Sequence, residues 1–133
     1  MIVGKHIILD LFEISTETFK KIYKINFDNF NNFISDTLKN NGATLLKYNV
    51  NFFDDVGAFT VLYLLSESHL SIHTWPEHNY ISIDIFTCGN SNTQEIANEL
   101  KKYFTPNKLT EQILYRGYAL QVNYDKNIDL HNS

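Results

Sequence analysis

The 133-residue sequence has one cysteine, two prolines and no long hydrophobic segment. Cys88 has no partner for an internal disulfide, and one cysteine is too few for a cysteine-built zinc site, so we expect a reducing compartment, the cytoplasm. No window reaches the roughly 18 uninterrupted apolar residues of a membrane span, and the first residues lack the pattern of an export signal. These absences argue against a secreted disulfide-rich domain and against a membrane protein.

Basic residues are also scarce. Lys and Arg total 11 against 15 Asp and Glu, a net charge of -4. No basic stretch is dense enough to bind a phosphate backbone, so nucleic acid is not an expected partner. The chain does contain 44% hydrophobic residues, which at this length suits one compact core. We therefore expect a single domain over residues 1–133.

Hydrophobic periodicity predicts the first half of the fold. A β-branched apolar run at residues 6–12 predicts a strand. A capping-type cluster at residues 15–18 precedes apolar residues spaced by three and four, which predicts one amphipathic helix, best defined over residues 27–40. Runs at 44–50 and 59–65 flank a polar turn and predict a hairpin.

The second half has the same character. Runs at 69–75 and 81–87 flank a turn at 76–79 and predict an antiparallel pair. A capping box at 91–94 and apolar residues spaced by four predict a second helix that ends at Pro106. Residues 109–122 are predicted to be extended, with a bulge or bend at Gly117, and we expect a loose tail after Asn123. The order favours an α+β two-layer sandwich with helices on one face of a mainly antiparallel sheet, whose open face and edges suit a second subunit.

The predicted 69–87 hairpin carries an unusual set of side chains. If Trp75 faces Tyr80 across the turn, strand alternation separates two faces and brings Glu67 opposite Cys88. The apolar face carries Leu70, Ile72, Ile81, Ile83 and Ile85, and the other carries His69, Ser71, His73, Ser82, Asp84 and Cys88. A lone histidine or cysteine is usually structural, but several reactive types on one face favour chemistry.

One non-enzymatic alternative is a metal-sensing module that uses His69, His73 and Cys88. The two histidines lie on one face but two strand repeats apart, about 13 Å, which is too far for one zinc ion. The spacing therefore does not favour a metal site.

The same segment resembles the pyruvoyl-dependent S-adenosylmethionine decarboxylases of bacteria and archaea. The residues that carry the resemblance are Glu67-Ser68-His69, the run Ser71-Ile72-His73-Thr74-Trp75-Pro76-Glu77, the run Asp84-Ile85-Phe86-Thr87-Cys88-Gly89, and Gly4-Lys5-His6 near the start. Length, helix placement and the final strand agree with that family over most of the chain.

The resemblance implies a proenzyme that cuts itself between Glu67 and Ser68 into a β chain of residues 1–67 and an α chain of residues 68–133. Attack of the Ser68 hydroxyl on the preceding carbonyl, elimination and hydrolysis would leave a pyruvoyl group at the new N-terminus. That group forms a Schiff base with the substrate amine and needs no metal. The product, decarboxylated S-adenosylmethionine, serves spermidine synthesis, and the processed protomers form a homo-oligomer with active sites near the interface.

The resemblance also implies roles for individual residues. His73 matches a histidine that assists processing by proton transfer, a task that suits imidazole. Cys88 matches the proton donor to the substrate carbon. Thr60 stands where the family has a processing serine, and its hydroxyl makes the same hydrogen bonds. Phe53 resembles the phenylalanine that stacks on adenine, and Glu77 a carboxylate that binds ribose hydroxyls.

The sequence departs from the family near Phe53 and at residues 11–14, both expected to line the substrate pocket. The leading alternative is therefore an arginine or ornithine decarboxylase on the same scaffold, which needs a carboxylate for a distal cation. Asp54, Asp55 or Glu13 would supply that carboxylate.

Overall fold

A computed structural model describes residues 3–117, which form one six-stranded sheet and three α-helices. The strands are β1 (Gly4–Phe12), β2 (Leu45–Phe52), β3 (Phe59–Leu65), β4 (Ser68–Trp75), β5 (Tyr80–Cys88) and β6 (Lys108–Arg116). The α-helices are α1 (Thr16–Lys20), α2 (Phe27–Asn40) and α3 (Thr93–Phe104). Single turns of 3-10 helix cover Lys24–Asn26 and Pro76–His78.

The sheet is antiparallel throughout, in the order β2-β3-β4-β5-β1-β6. Trp75 lies opposite Tyr80 and His73 opposite Ser82, as the sequence predicts. The 3-10 turn between β4 and β5 ends at Asn79, whose left-handed backbone (φ 52°) reverses the chain. β1 lies between β5 and β6, so the first strand of the chain is an interior strand of the sheet.

The helices cover one face of the sheet and enclose the core. The predicted positions Phe27, Phe30, Ile34 and Leu38 of α2 are all buried, and Ile96, Leu100 and Phe104 of α3 are fully buried. The Asn92 side chain caps α3 by accepting a hydrogen bond from the Glu95 amide at 3.1 Å. The α+β two-layer sandwich expected from the sequence is therefore the observed fold.

The prediction of one helix after residues 15–18 is wrong, because this segment forms two. Ser15 caps the five-residue α1 through its side chain, whereas α2 begins at Phe27 without a side-chain cap. The Asn26 side-chain amide donates a hydrogen bond of 2.8 Å to the Lys20 carbonyl oxygen. This bond satisfies the end of α1 and holds the turn that separates the two helices.

Some strand limits also differ from expectation. β2 runs to Phe52, two residues beyond the predicted segment, and β6 ends at Arg116. Gly117 follows with φ 83°, so it ends the strand where a bend within it was expected. Residues 118–122 of the predicted strand and the tail lie outside the described residues.

The face of the sheet opposite the helices is open. It carries the polar face of β4 and β5 described above, flanked by exposed Leu62 and Leu64 on β3. Within residues 3–117 the structure contains no helix with the length and apolar character required to cross a membrane.

Candidate active site

The hairpin between β3 and β4 closes through a two-residue turn, Ser66-Glu67, with Leu65 opposite Ser68. The peptide bond between Glu67 and Ser68 therefore joins the turn to the first residue of β4. Ser68 has a positive φ of 155°, a region that few residues with a side chain adopt. Such backbone costs roughly 1–3 kcal/mol. The local backbone at this bond is thus strained.

The Glu67 side chain folds back on its own turn. One carboxylate oxygen accepts a hydrogen bond from the Thr44 amide at 2.8 Å, and the other accepts from Ser66 Oγ at 2.7 Å. The Thr44 hydrogen bond is the main cause that holds the pKa of Glu67 below its usual range, and the Ser66 bond adds to it. The carboxylate therefore holds the turn in one geometry.

Cys88, the last residue of β5, reaches the same turn. Its Sγ donates a hydrogen bond of 3.0 Å to the carbonyl oxygen of Glu67. The sequence predicts that Glu67 lies opposite Cys88 in the strand ladder. In the structure the strand partner of Cys88 is Gly4 of β1, and Glu67 lies outside β4, which begins at Ser68. A Cβ on Gly4 would lie 2.5 Å from the Phe86 ring, which explains glycine at this position.

The side chain of His69 lies beside the hydroxyl of Ser68. His69 Nδ1 is 3.4 Å from Ser68 Oγ. The imidazole stands edge-on to Phe86, its cross-strand partner, with ring centroids 5.8 Å apart. A hydroxyl, a carbonyl, a thiol and an imidazole thus surround one peptide bond.

A second group of side chains surrounds His73. Its Nδ1 lies 2.8 Å from Thr60 Oγ1 of β3, the residue directly opposite it. Its ring stacks on Trp75 with centroids 5.4 Å apart and planes 12° apart. These two contacts fix the imidazole and leave Nε2 for another partner.

His73 forms part of the wall of a cavity of about 280 Å³. We call this cavity the His73 pocket, and its lining residues are Phe53, Ala58, Thr60, His73, Thr74, Trp75 and Glu77. Phe53 is 68% exposed, so its ring is accessible for stacking. The structure therefore brings together four residues to which the sequence assigns roles.

The two groups lie at opposite ends of β4. Ser68 and His73 are five residues apart on one strand, a separation of about 16 Å between their Cα atoms. The reactive side chains share one face of the sheet, as expected, but they do not meet at a single point. Strand alternation determines which face a side chain lies on and not its position along the strand. His73 and Thr60 do not reach the Glu67–Ser68 bond of their own chain.

The structure contains a stack of rings that the sequence did not reveal. Beyond Trp75 the stack continues to Tyr80 at 5.2 Å and to Phe12 at 5.2 Å, with planes within 18° and 16°. The Tyr80 hydroxyl donates a hydrogen bond to the Asp10 carboxylate. Desolvation is the main cause that raises the pKa of Tyr80 to about 12, with the Asp10 bond second. The Trp75–Tyr80 pairing was the only sequence signal for this stack.

The carboxylates proposed for an amino-acid substrate are poorly arranged. Asp54 accepts hydrogen bonds from the amides of Val56 and Ala58 at 2.9 and 3.0 Å and so builds its own loop. Asp55 is exposed and lies 4.0 Å from the Lys24 ammonium. Glu13 lines a different cavity from the His73 pocket.

No metal centre is assembled in residues 3–117, where no three side chains of His, Cys, Asp or Glu come close enough to hold an ion. His69 and His73 lie at different ends of β4, and Cys88 lies at the turn. The arrangement gives the metal-sensing alternative no support.

Fold and side chains together define a class: compact α+β proteins whose open sheet face carries the reactive groups. The sequence profile of the S-adenosylmethionine decarboxylase family matches residues 5–117. The chain belongs to this family.

Individual relatives agree with the profile match. The chain is 44% identical over 99 residues to an S-adenosylmethionine decarboxylase proenzyme of Prochlorococcus marinus, covering 74% of each chain. It is 37% identical over 123 residues to proenzyme 2 of Bacillus anthracis, covering 92% of this chain and 95% of the relative. The crystal structure of the adenosylmethionine decarboxylase from Aquifex aeolicus superposes with a TM-score of 0.74 at 27% identity, covering 87% and 92% of the two chains. These relatives do not support the arginine or ornithine alternative.

Proposed function

We propose that this chain is a proenzyme that cuts itself between Glu67 and Ser68 and then decarboxylates S-adenosylmethionine. The observation that carries the proposal is the 3.0 Å hydrogen bond from the Cys88 thiol to the Glu67 carbonyl oxygen, next to the hydroxyl of Ser68. A nucleophile adjoins a carbonyl whose oxygen already accepts a hydrogen bond. The products are a fragment of residues 1–67 and a fragment of residues 68–133.

The cut begins when Ser68 Oγ attacks the Glu67 carbonyl carbon. The amide becomes an ester, and β-elimination then removes the Cα proton of residue 68 and breaks its Cβ–Oγ bond, so that Glu67 leaves as a carboxylate and dehydroalanine remains. Hydrolysis of the imine tautomer releases ammonia and leaves a pyruvoyl group on residue 68. The Cys88 thiol stabilises the negative charge that develops on the carbonyl oxygen. The strained backbone at Ser68 relaxes when the bond breaks, which favours the forward direction.

The residues at the turn fit a pyruvoyl group made from Ser68. When formed, such a group accepts the electrons that decarboxylation releases from a bound amine substrate. Cys88, whose thiol contacts the carbonyl oxygen of the preceding residue, Glu67, donates the proton to the substrate carbon. We call the hydrogen bonds of the Glu67 carboxylate with Thr44 and Ser66 the carboxylate clamp. The clamp keeps the cut end in place because all three residues remain in the first fragment.

The His73 pocket is the proposed binding site for the nucleoside part of the substrate. Exposed Phe53 stacks on the adenine, and Glu77 accepts hydrogen bonds from ribose hydroxyls. The decarboxylated product donates aminopropyl groups for spermidine synthesis. The reaction belongs to the cytoplasm, where the Cys88 thiol stays reduced.

The active unit is a dimer in which each chain completes the site of the other. His73 and Thr60 are about 16 Å from the Ser68 of their own chain, too far for proton transfer. The open sheet face exposes Leu62 and Leu64 and so offers a surface for a second copy. In this arrangement the His73–Thr60 pair assists the cut in the partner.

Intact mass of the purified protein tests the cut. We expect two chains that meet at Glu67 and Ser68, a single uncut chain for Ser68→Ala, and normal cutting for Ser71→Ala, three residues further along the same strand. Carbon dioxide release from S-adenosylmethionine, arginine and ornithine in parallel then tests the substrate. A cut Ser68→Ala chain, or an uncut wild-type chain inactive on all three substrates, overturns the proposal.

A further inference from the structure

We propose that His69 is the base that takes the proton from Ser68 Oγ in the first step of the cut. This inference rests on the proposed self-cleavage and assigns a residue to the formation of the ester. Imidazole commonly serves as a general base near neutral pH. Neither the roles that the resemblance implies nor the proposed function uses His69.

The backbone at the turn brings the two side chains together. Neighbouring residues of a regular strand point to opposite faces of the sheet. At Ser68 the positive φ of 155° interrupts this alternation, and Ser68 Oγ lies 3.4 Å from His69 Nδ1. A catalytic hydrogen bond is often long before the reacting groups close on each other. The same strained residue thus adjoins the scissile bond and directs the nucleophile toward a base.

Packing holds the His69 ring in this position. The imidazole stands edge-on to Phe86 at 5.8 Å with planes 67° apart. The Arg116 guanidinium lies 4.5 Å from the centre of the Phe86 ring, and His6 packs against the same ring at 5.7 Å. Phe86 is therefore itself held in place by neighbours from β1 and β6.

The other bases near the turn are engaged or distant. The Glu67 carboxylate accepts hydrogen bonds from Thr44 and Ser66, and its lowered pKa makes it a weak base. His6 Nε2 lies 3.2 Å from the Asp84 carboxylate. His73 is about 16 Å away along its own strand. His69 is the described imidazole whose ring nitrogen contacts Ser68 Oγ.

The step balances as an isomerisation. The Oγ–H proton moves to His69 Nδ1 as the bond forms between Oγ and the Glu67 carbonyl carbon. The bond between that carbon and the Ser68 nitrogen then breaks, and the nitrogen takes the proton back from Nδ1. The result is an ester and a free amine, with no oxidant, reductant or other reactant.

The test follows refolding of denatured, uncut precursor of the full chain. Mass spectrometry measures the cut fragments, and hydroxylamine traps any ester as two fragments. We expect His69→Ala to be cut at least about 100-fold more slowly than wild type and to yield no trapped ester, because a positioned base contributes roughly that factor. Added imidazole restores cutting in a concentration-dependent way. His78→Ala, which removes an exposed histidine at the other end of β4, is cut at the wild-type rate.

His69→Asn separates the base from the side chain's shape, since it retains a hydrogen-bond acceptor near Nδ1 but cannot take the proton. We expect this variant to be folded by circular dichroism and uncut by mass spectrometry. It decides the outcome if His69→Ala does not fold. Wild-type cutting in either folded variant, or accumulation of ester in His69→Ala, overturns the role of His69 and leaves self-cleavage intact. An uncut wild-type chain overturns the proposed function itself.

Discussion

The thiol of Cys88 contacts the carbonyl oxygen of Glu67, 21 residues earlier in the chain, through a hydrogen bond of 3.0 Å. This contact ties the end of β5 to the turn between β3 and β4. In the proposed reaction this side chain acts twice, first on the peptide bond and later on the substrate.

Replacing Cys88 separates these two actions. A thiol is a weak donor, and a hydrogen bond contributes about 1 kcal/mol net, so Cys88→Ala should be cut roughly five- to tenfold more slowly. Its decarboxylation, measured as carbon dioxide release per cut chain, should fall much further because the proton donor is gone. Cys88→Ser keeps a donor at the carbonyl and should be cut faster than the alanine variant. Full decarboxylation by Cys88→Ala would remove this residue from the acid role.

Two inactive chains should restore each other if the site is shared. Ser68→Ala keeps His73 but lacks the nucleophile, whereas His73→Ala keeps Ser68 but lacks the assisting imidazole. Coexpression should produce cut His73→Ala chains and uncut Ser68→Ala chains, which mass spectrometry distinguishes. In the control, His73→Ala is coexpressed with the double variant Ser68→Ala/His73→Ala, which supplies no imidazole, and no chain should be cut. If the His73→Ala chains stay uncut when they are coexpressed with Ser68→Ala chains, the shared site is contradicted.

The carboxylate clamp at the turn should open in acid. The folded pKa of Glu67 lies below its usual value, so the clamp contributes stability above the ordinary carboxyl range and loses it as pH falls through the lowered pKa. In the uncut Ser68→Ala background, the amide proton shift of Thr44 should titrate below the ordinary glutamate value of about 4.3. Adding Glu67→Gln should abolish that titration. A Thr44 shift that titrates at or above 4.3 argues against the clamp.

Thr74 has a structural task despite its place in the family motif. Its hydroxyl is buried, accepts a hydrogen bond from the Phe59 amide at 2.8 Å and donates to the Gly57 carbonyl. Thr74→Val keeps the shape of the side chain but leaves the buried Phe59 amide without a hydrogen-bond acceptor. We expect this to lower the free energy of unfolding by about 1–3 kcal/mol. Urea unfolding of the uncut Ser68→Ala chain measures the loss, and exposed Thr110→Val should change stability little. An unchanged midpoint for Thr74→Val contradicts this task.

The sequence carries local pairing well because the register follows from one turn. The short connection at Pro76–His78 forces Trp75 opposite Tyr80, and every later pair of that hairpin then follows. Helix α2 could also be predicted, since its apolar residues recur at helical spacing between Phe27 and Asn40. Both features depend on residues close together in the chain.

Contacts between distant segments escape such reasoning. Nothing in residues 4–12 indicates that β1 inserts between β5 and β6, or that Asp10 meets the Tyr80 hydroxyl. The Thr44 amide that holds Glu67 belongs to the backbone and leaves no trace in side-chain patterns. The distance between Ser68 and His73 could have been predicted, since they are five residues apart on one predicted strand. The resemblance instead grouped the two residues by their roles.

The strand order changes what a cut would do to the molecule. Residues 1–67 supply β1, β2 and β3, whereas residues 68–117 supply β4, β5 and β6, and β1 lies inside the second set. The two fragments are interleaved, so they cannot part without opening three strand interfaces, β3 with β4 and β1 with both its neighbours. Cutting therefore converts a unimolecular fold into a two-chain complex whose melting temperature rises with protein concentration by mass action. Refolding of the cut protein would become a second-order encounter, so the covalent turn would be a folding aid that only the uncut chain has.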